Sequence, residues 1–286
     1  MRLVFYFFLL LLFTQCSGIE KMNLDTYSTS FDEDSRILES VLVQLTEEEQ
    51  TPTGELMVKV GHLFLETPYV ASTLETEGDE RLIINLREMD CTTFAETCLA
   101  LTRTIKSKKT GLDRFAQELA SVRYRDARIK GYTSRLHYTT DWIYNNQQKH
   151  LIKDVTGEII NIPYKKTINF MSTHPDSYMH LKSNAAYVAE MAAIENDISQ
   201  RDYYYIPKER IANVESQLQD GDIVAFTTNI EGLDVSHMGV LVRKNNRIHL
   251  MHASLSAKKV ELTEEPLADY LKDSKTVTGI MVARPL

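Results

Sequence analysis

The sequence predicts an α+β fold, helices first and an antiparallel sheet in the C-terminal half. Three observations carry this. An apolar period close to 3.6 residues recurs from about residue 35 to 122, and after Asp220-Gly221 the pattern changes to short β-rich runs. Between two of those runs stands Asn245-Asn246, a two-residue hairpin turn whose residues tolerate positive φ.

The elements follow in order. Ile37, Leu38, Val41 and Leu45 mark a helix over about 35–48, and Leu56, Val60, Leu63 and Phe64 a second over 54–66. Asp90 is a good N-cap, and Phe94, Cys98, Leu101 and Ile105 then share one face of a helix from 91 to about 106. Leu112, Phe115, Leu119 and Val122 give another over 111–122, followed by a Tyr- and Arg-rich middle and a helix over 184–197. Strands are expected at 222–227, 237–243, 247–253 and 277–283.

The chain has 286 residues, 43% hydrophobic and 25% charged, which suits a globular protein with a sizeable core and excludes intrinsic disorder. Its formal net charge of −8 gives no long-range pull toward phosphates, so no nucleic acid partner is expected. Met1-Arg2 followed by the apolar run Leu3 to Phe13 reads as a signal peptide over 1–15, because about 20 apolar residues are needed to span a bilayer. The run ends at Cys16-Ser17-Gly18, which resembles a bacterial lipoprotein signal. That makes Cys16 a candidate for lipidation, with simple cleavage as the alternative. The expectation is an exported protein, in the periplasm or at the outer membrane, with a polar tether over 16–34 and one domain over 35–286 that carries an insertion around 107–205.

Cys91 and Cys98 then remain, and an exported protein with two cysteines invites a disulfide. Seven residues of one helix hold their Cα atoms about 10.5 Å apart, beyond the roughly 7 Å that a disulfide spans. Cys98 reads as a core residue. Cys91 stands at a helix N-terminus, where free N–H groups and the dipole favour a thiolate, so a depressed pKa is expected there.

The hairpin fixes a register. If Lys244 pairs with Arg247, Gly239 faces His252 and His237 faces Ser254, so His237 and His252 become diagonal neighbours on one sheet face. A thiol nucleophile needs a base that also protonates the leaving group, and that base needs a polar group to fix its tautomer. Cys91, His237 and His252 match these three roles, and their chain order is the papain-like one.

The same residues carry a resemblance. Asp90-Cys91-Thr92-Thr93-Phe94 resembles the Asp-Cys-Ser-Gly-Phe motif of NlpC-type cell-wall cysteine peptidases, and Thr67-Pro68-Tyr69-Val70 resembles the segment preceding it. Leu218 to Val224, Ser236-His237-Met238-Gly239-Val240 and Met251-His252-Ala253-Ser254 are similar to its strand entry and its two His segments. Through Tyr69 to Glu75, the Cys91 motif and the stretch from Gly131 to Trp142, the chain looks closest to the N-acetylmuramoyl-L-alanine amidase-like branch, over about residues 55–286. The resemblance implies a papain-like core and hydrolysis of an amide in the peptide part of peptidoglycan, with no cofactor. Cys91 would attack, His237 would act as base and acid, His252 would orient it, and the Tyr69 hydroxyl would help hold the oxyanion.

Arg135 and His137 lie in a basic, aromatic run that is a candidate grip for the carboxylates of a stem peptide. A zinc amidase is the rival enzyme, but no His-Glu-x-x-His occurs. An endopeptidase cutting between D-glutamate and the diamino acid is the alternative within the resemblance, and an idle cell-wall binding module the alternative outside enzymes.

Overall fold

The computed structural model describes residues 30–286. The proposed signal peptide and Cys16 therefore lie outside the described residues. Helices α1 (Phe31–Gln44), α2 (Thr53–His62), α3 (Cys91–Lys106), α4 (Leu112–Arg123) and α5 (Thr139–Gln148) come first. After them come β1 (Ile152–Asp154), several short helical turns, α6 (Ala185–Gln200) and β2 (Ile206–Pro207). The last part holds β3 (Ile223–Thr228), β4 (Val235–Lys244), β5 (Arg247–Ser254), β6 (Lys259–Leu262), α7 (Leu267–Lys272) and β7 (Val277–Pro285). The mixed α+β architecture and the antiparallel C-terminal sheet agree with the sequence reading.

All strand pairs are antiparallel, in the order β1-β7-β3-β4-β5-β6, with β2 also on β7. Lys244 pairs with Arg247 and Val240 with Met251, the register that the hairpin predicts. Asn245 and Asn246 take φ of 51° and 63°, as a two-residue turn of this hand requires. Strands β1, β2 and β6 and helix α5 were not expected, since each is short or lacks a clear period. At the other end α1 begins at Phe31, inside the expected tether. Buried Asp34 anchors it, accepting the Leu86 N–H at 2.9 Å and pairing with Arg87 at 3.2 Å.

The sheet is buried on both faces. Ile223, Ala225, Met238, Val240, Met251 and Met281 join the core beneath the helices, whereas Val224, Phe226, Leu241, Leu250 and Ile280 join a second cluster with Leu267 and Leu271 of α7. This is the two-residue alternation of a strand, read on both sides. Helix α3 is buried at most positions, and Phe94, Cys98, Leu99 and Leu101 are fully enclosed. Each such side chain contributes about 1.5–3 kcal/mol of burial. The apolar seat thus presses the helix start onto the sheet.

Two polar ties complete the placement. Glu96 of α3 and Arg123 of α4 form a 2.6 Å ion pair with both side chains 2% exposed, and Arg123 also donates to the Ile83 carbonyl at 2.6 Å. The segment between α4 and β2 docks on Asp234, just before β4: the Asp234 carboxylate accepts the Thr140 N–H at 2.7 Å and its carbonyl accepts the Tyr164 hydroxyl at 2.7 Å. That segment is therefore built into the wall that carries the His237 segment.

At Gly221 (φ 77°), a Cβ would lie 2.2 Å from the Gly54 carbonyl oxygen, so the start of α2 rests on the turn that opens β3. Replacing Glu96 by Gln leaves Arg123 buried without its counter-charge, and chemical unfolding should show a loss of about 3–5 kcal/mol. A loss under about 1 kcal/mol would mean that this pair does not hold α3 to α4.

Candidate active site

Cys91 is the first residue of α3, and the cap that fixes it is complete. The Asp90 carboxylate accepts the Thr93 N–H at 2.8 Å, and the Thr93 hydroxyl accepts the Asp90 N–H at 2.9 Å. This capping box satisfies two orphan donors at the helix start. Both cysteines are free, as the helix geometry requires. The Cys91 sulfur lies 4.0 Å from the Thr92 hydroxyl, and the backbone of Thr92 and of Met238 acts on it to lower its pKa. Met238 is the residue after His237, so the structure brings the thiol to the strand that carries the expected base. No hydrogen bond links the sulfur to His237 in this conformation.

His237 Nε2 and His252 Nδ1 are 2.6 Å apart, with the rings perpendicular. The Phe226 ring lies 5.4 Å from His237, and Tyr270 of α7 lies 5.7 Å from His252. A Cβ added at Gly239 would stand 2.7 Å from Leu250 Cδ1, 2.8 Å from the Met251 carbonyl and 3.0 Å from the His252 Cβ, so the bare glycine is what lets β4 lie this close to β5 at His252. Tyr69 is held by a bridge to Met89 and by donating its N–H to the Lys258 carbonyl at 2.9 Å. Its hydroxyl is raised in pKa by burial, then by Cys91 and Asp90.

The electrostatics differ from the sequence expectation. Burial, then the Asp90 carboxylate, pushes the Cys91 thiol up to about 11, against the two backbone amides that lower it. Burial pushes His237 down to about 4; burial and the facing His237 push His252 down to about 3. The resting site is a neutral thiol beside neutral imidazoles. Desolvation outweighs the helix terminus here.

Arg135 and His137 are not the free cationic grip that the sequence suggested. Arg135 is 6% exposed and pairs with Glu75 at 2.6 Å and Glu80 at 3.3 Å. His137 sits against the Tyr132 carbonyl at 2.9 Å, and burial, then Arg135, holds its pKa well below the usual value. Both still line a cavity of about 240 Å³ next to Asp90 and Thr92. A second cavity of about 600 Å³ opens beside His237, His252, Leu255 and Tyr270. Glu261 on β6, opposite His252, escaped the sequence reading because its strand did. Among the described residues no group of three or more His, Cys, Asp or Glu is placed to hold a metal ion.

With this ionisation, Cys91 should alkylate slowly at about pH 6 and gain rate as the pH climbs toward about 11. Labelling with iodoacetamide, read by mass on the peptide that holds Cys91, tests this. Fast labelling at about pH 5 would contradict it. Gly239→Ala should cost about 1–3 kcal/mol by overpacking against β5 and slow any reaction that uses the histidine pair. A variant of unchanged stability and rate would contradict that reading.

Comparison with known proteins gives consistent findings. A model of the AmiA-like family, described as N-acetylmuramoyl-L-alanine amidase-like, matches residues 59–280. The chain is 43% identical to an N-acetylmuramoyl-L-alanine amidase from Bacteroides uniformis of known structure, with a TM-score of 0.79 over 82% of this chain and 99% of that one. At the same 43% identity it is similar to a Bacteroides fragilis protein that carries a provisional name as a xylanase, with a TM-score of 0.75 over 78% of this chain and 98% of that one. A Legionella pneumophila protein at 22% identity and a TM-score of 0.69 shares the fold, over 89% of this chain and 95% of that one. No curated protein matches the chain. With its match running from α2 into β7 and taking in Cys91, His237 and His252, the chain belongs to the AmiA-like, N-acetylmuramoyl-L-alanine amidase-like family.

Proposed function

We propose that the protein is an exported cysteine hydrolase with a papain-like, NlpC-type core that cuts the amide joining muramic acid to L-alanine in peptidoglycan. The observation that supports it most is the capped Cys91 near the backbone of Met238, next to a histidine pair in hydrogen-bond contact, in a chain of amidase-like family. Cys91 attacks the amide carbonyl as His237 takes its proton. His237 Nε2 is engaged by His252, so the other nitrogen, Nδ1, is the one free for that proton.

The oxyanion is met by the Cys91 backbone N–H, which has no intrahelical partner at the first position, and by the Tyr69 hydroxyl. His237 then gives its proton to the leaving amine. The acyl group stays on sulfur as a thioester until His237 activates water against it. Because the general acid stands on the leaving-group side, the larger cavity beside the histidines suits the stem peptide and the smaller one beside Thr92 suits the muramoyl side.

The xylanase name of one relative fits this site poorly. Glycoside hydrolysis uses two carboxyl groups free to act as acid and base. Around the thiol, Glu75 is held by Arg135, Glu96 by Arg123 and Asp90 by the helix cap. Cys91→Ala should abolish turnover, whereas Cys98→Ala, at a fully buried position, should keep it and cost about 1 kcal/mol of stability. Mass spectrometry of digested peptidoglycan checks this: free stems with peptide-free glycan are expected. Shortened stems still on sugar would replace the amidase reading with an endopeptidase, and activity that survives Cys91→Ala would end the cysteine mechanism.

Export and anchoring belong to the same proposal and rest on the apolar run that ends at Cys16. Cys16→Ala should release the mature chain from membranes to the soluble fraction. Unchanged fractionation of an intact protein would rule out a lipid at that cysteine.

A further inference from the structure

The 2.6 Å contact between the imidazoles forms only if one nitrogen carries hydrogen and the other does not. For His237 to take the thiol proton on Nδ1, its own hydrogen must sit on Nε2. His252 then accepts at Nδ1, which puts its hydrogen on Nε2. That Nε2 is buried and makes no hydrogen bond within the protein. Facing it is the Glu261 carboxylate, with Oε1 3.6 Å away. The placement is built into the sheet, because Glu261 is the residue opposite His252 in the β5–β6 ladder. Tyr270 closes the edge of the His252 ring, and the Glu261 side chain, 30% exposed, makes no other ion pair or hydrogen bond among the described residues.

We propose that Glu261 is a positioning residue of this site, whose carboxylate holds His252 in the Nε2–H tautomer and thereby leaves His237 Nδ1 free as the base. The inference rests on the Cys91–His237 reading and extends it by one residue. No proton passes to Glu261. The thiol proton moves to His237 Nδ1, the resulting imidazolium keeps its Nε2–H on His252 Nδ1, and the negative charge beyond His252 stabilises that cation through the shared ring. A neutral imidazole alone would stabilise it less. The small gap from 3.6 Å to hydrogen-bond length is closed by rotation of a side chain that lies partly in solvent.

The test is long-range proton–nitrogen NMR of the histidines in the full chain, with kcat and KM on peptidoglycan measured in parallel. In the wild type, His252 should carry hydrogen on Nε2. Glu261→Ala should mix the tautomers and lower kcat by about 10- to 100-fold with KM within about twofold, as loss of an outer-shell partner does. Glu261→Gln, whose carbonyl still accepts a hydrogen bond, should restore the tautomer and most of kcat. A folded Glu261→Ala variant with wild-type spectra and kcat would overturn the proposal, as would a loss of kcat that Gln does not rescue. So would hydrogen on His252 Nδ1 in the wild type, whether or not a variant folds. If the wild type does not hydrolyse peptidoglycan, the proposed function fails while the spectra still decide the role of Glu261.

Discussion

The structure depends on one constraint: the start of α3 must meet β4, although the two lie far apart in sequence. Phe94, Cys98, Leu99 and Leu101 have no exposed surface, and they seat the helix in the core shared with Met238, Val240 and Met251. The Asp90–Thr93 cap then stops the helix at Cys91. Neither part suffices alone. Packing without the cap would let the first turn fray, and the cap without packing would leave the thiol away from the strand.

The same enclosure sets the chemistry. Taking Cys91, His237 and His252 out of water favours their neutral forms, and the Asp90 carboxylate that caps the helix adds to the effect on the thiol. The residue that positions the thiol therefore also helps keep it protonated. Such a site spends no stability on a buried resting ion pair. Under the proposed mechanism, a base must create the thiolate as substrate binds, and the sheet must hold that base in one tautomer.

Much of this was legible in the sequence where a local rule decides the outcome. Asp90 before an apolar 3.6-residue period marks a capped helix, and Asn245-Asn246 fixes the register that sets His237 near His252. What escaped depends on long-range partners. Arg135 looks like a free cation until Glu75 and Glu80, far upstream, are folded onto it. β6 has only four residues, too short for its polar–apolar alternation to mark a strand, so Glu261 stayed hidden until its ladder with β5 was visible. The direction of the Cys91 shift was also out of reach, because the sequence displays the helix terminus but not the depth of burial that outweighs it.

The central claim is that Cys91 carries the acyl group of a peptidoglycan amide, and acid-quenched mass spectrometry of the protein during turnover tests it most directly. The account predicts a thioester adduct on the peptide that contains Cys91, with the mass of a muramoyl fragment. Sustained turnover with no adduct at Cys91, or an adduct on another residue, would contradict it.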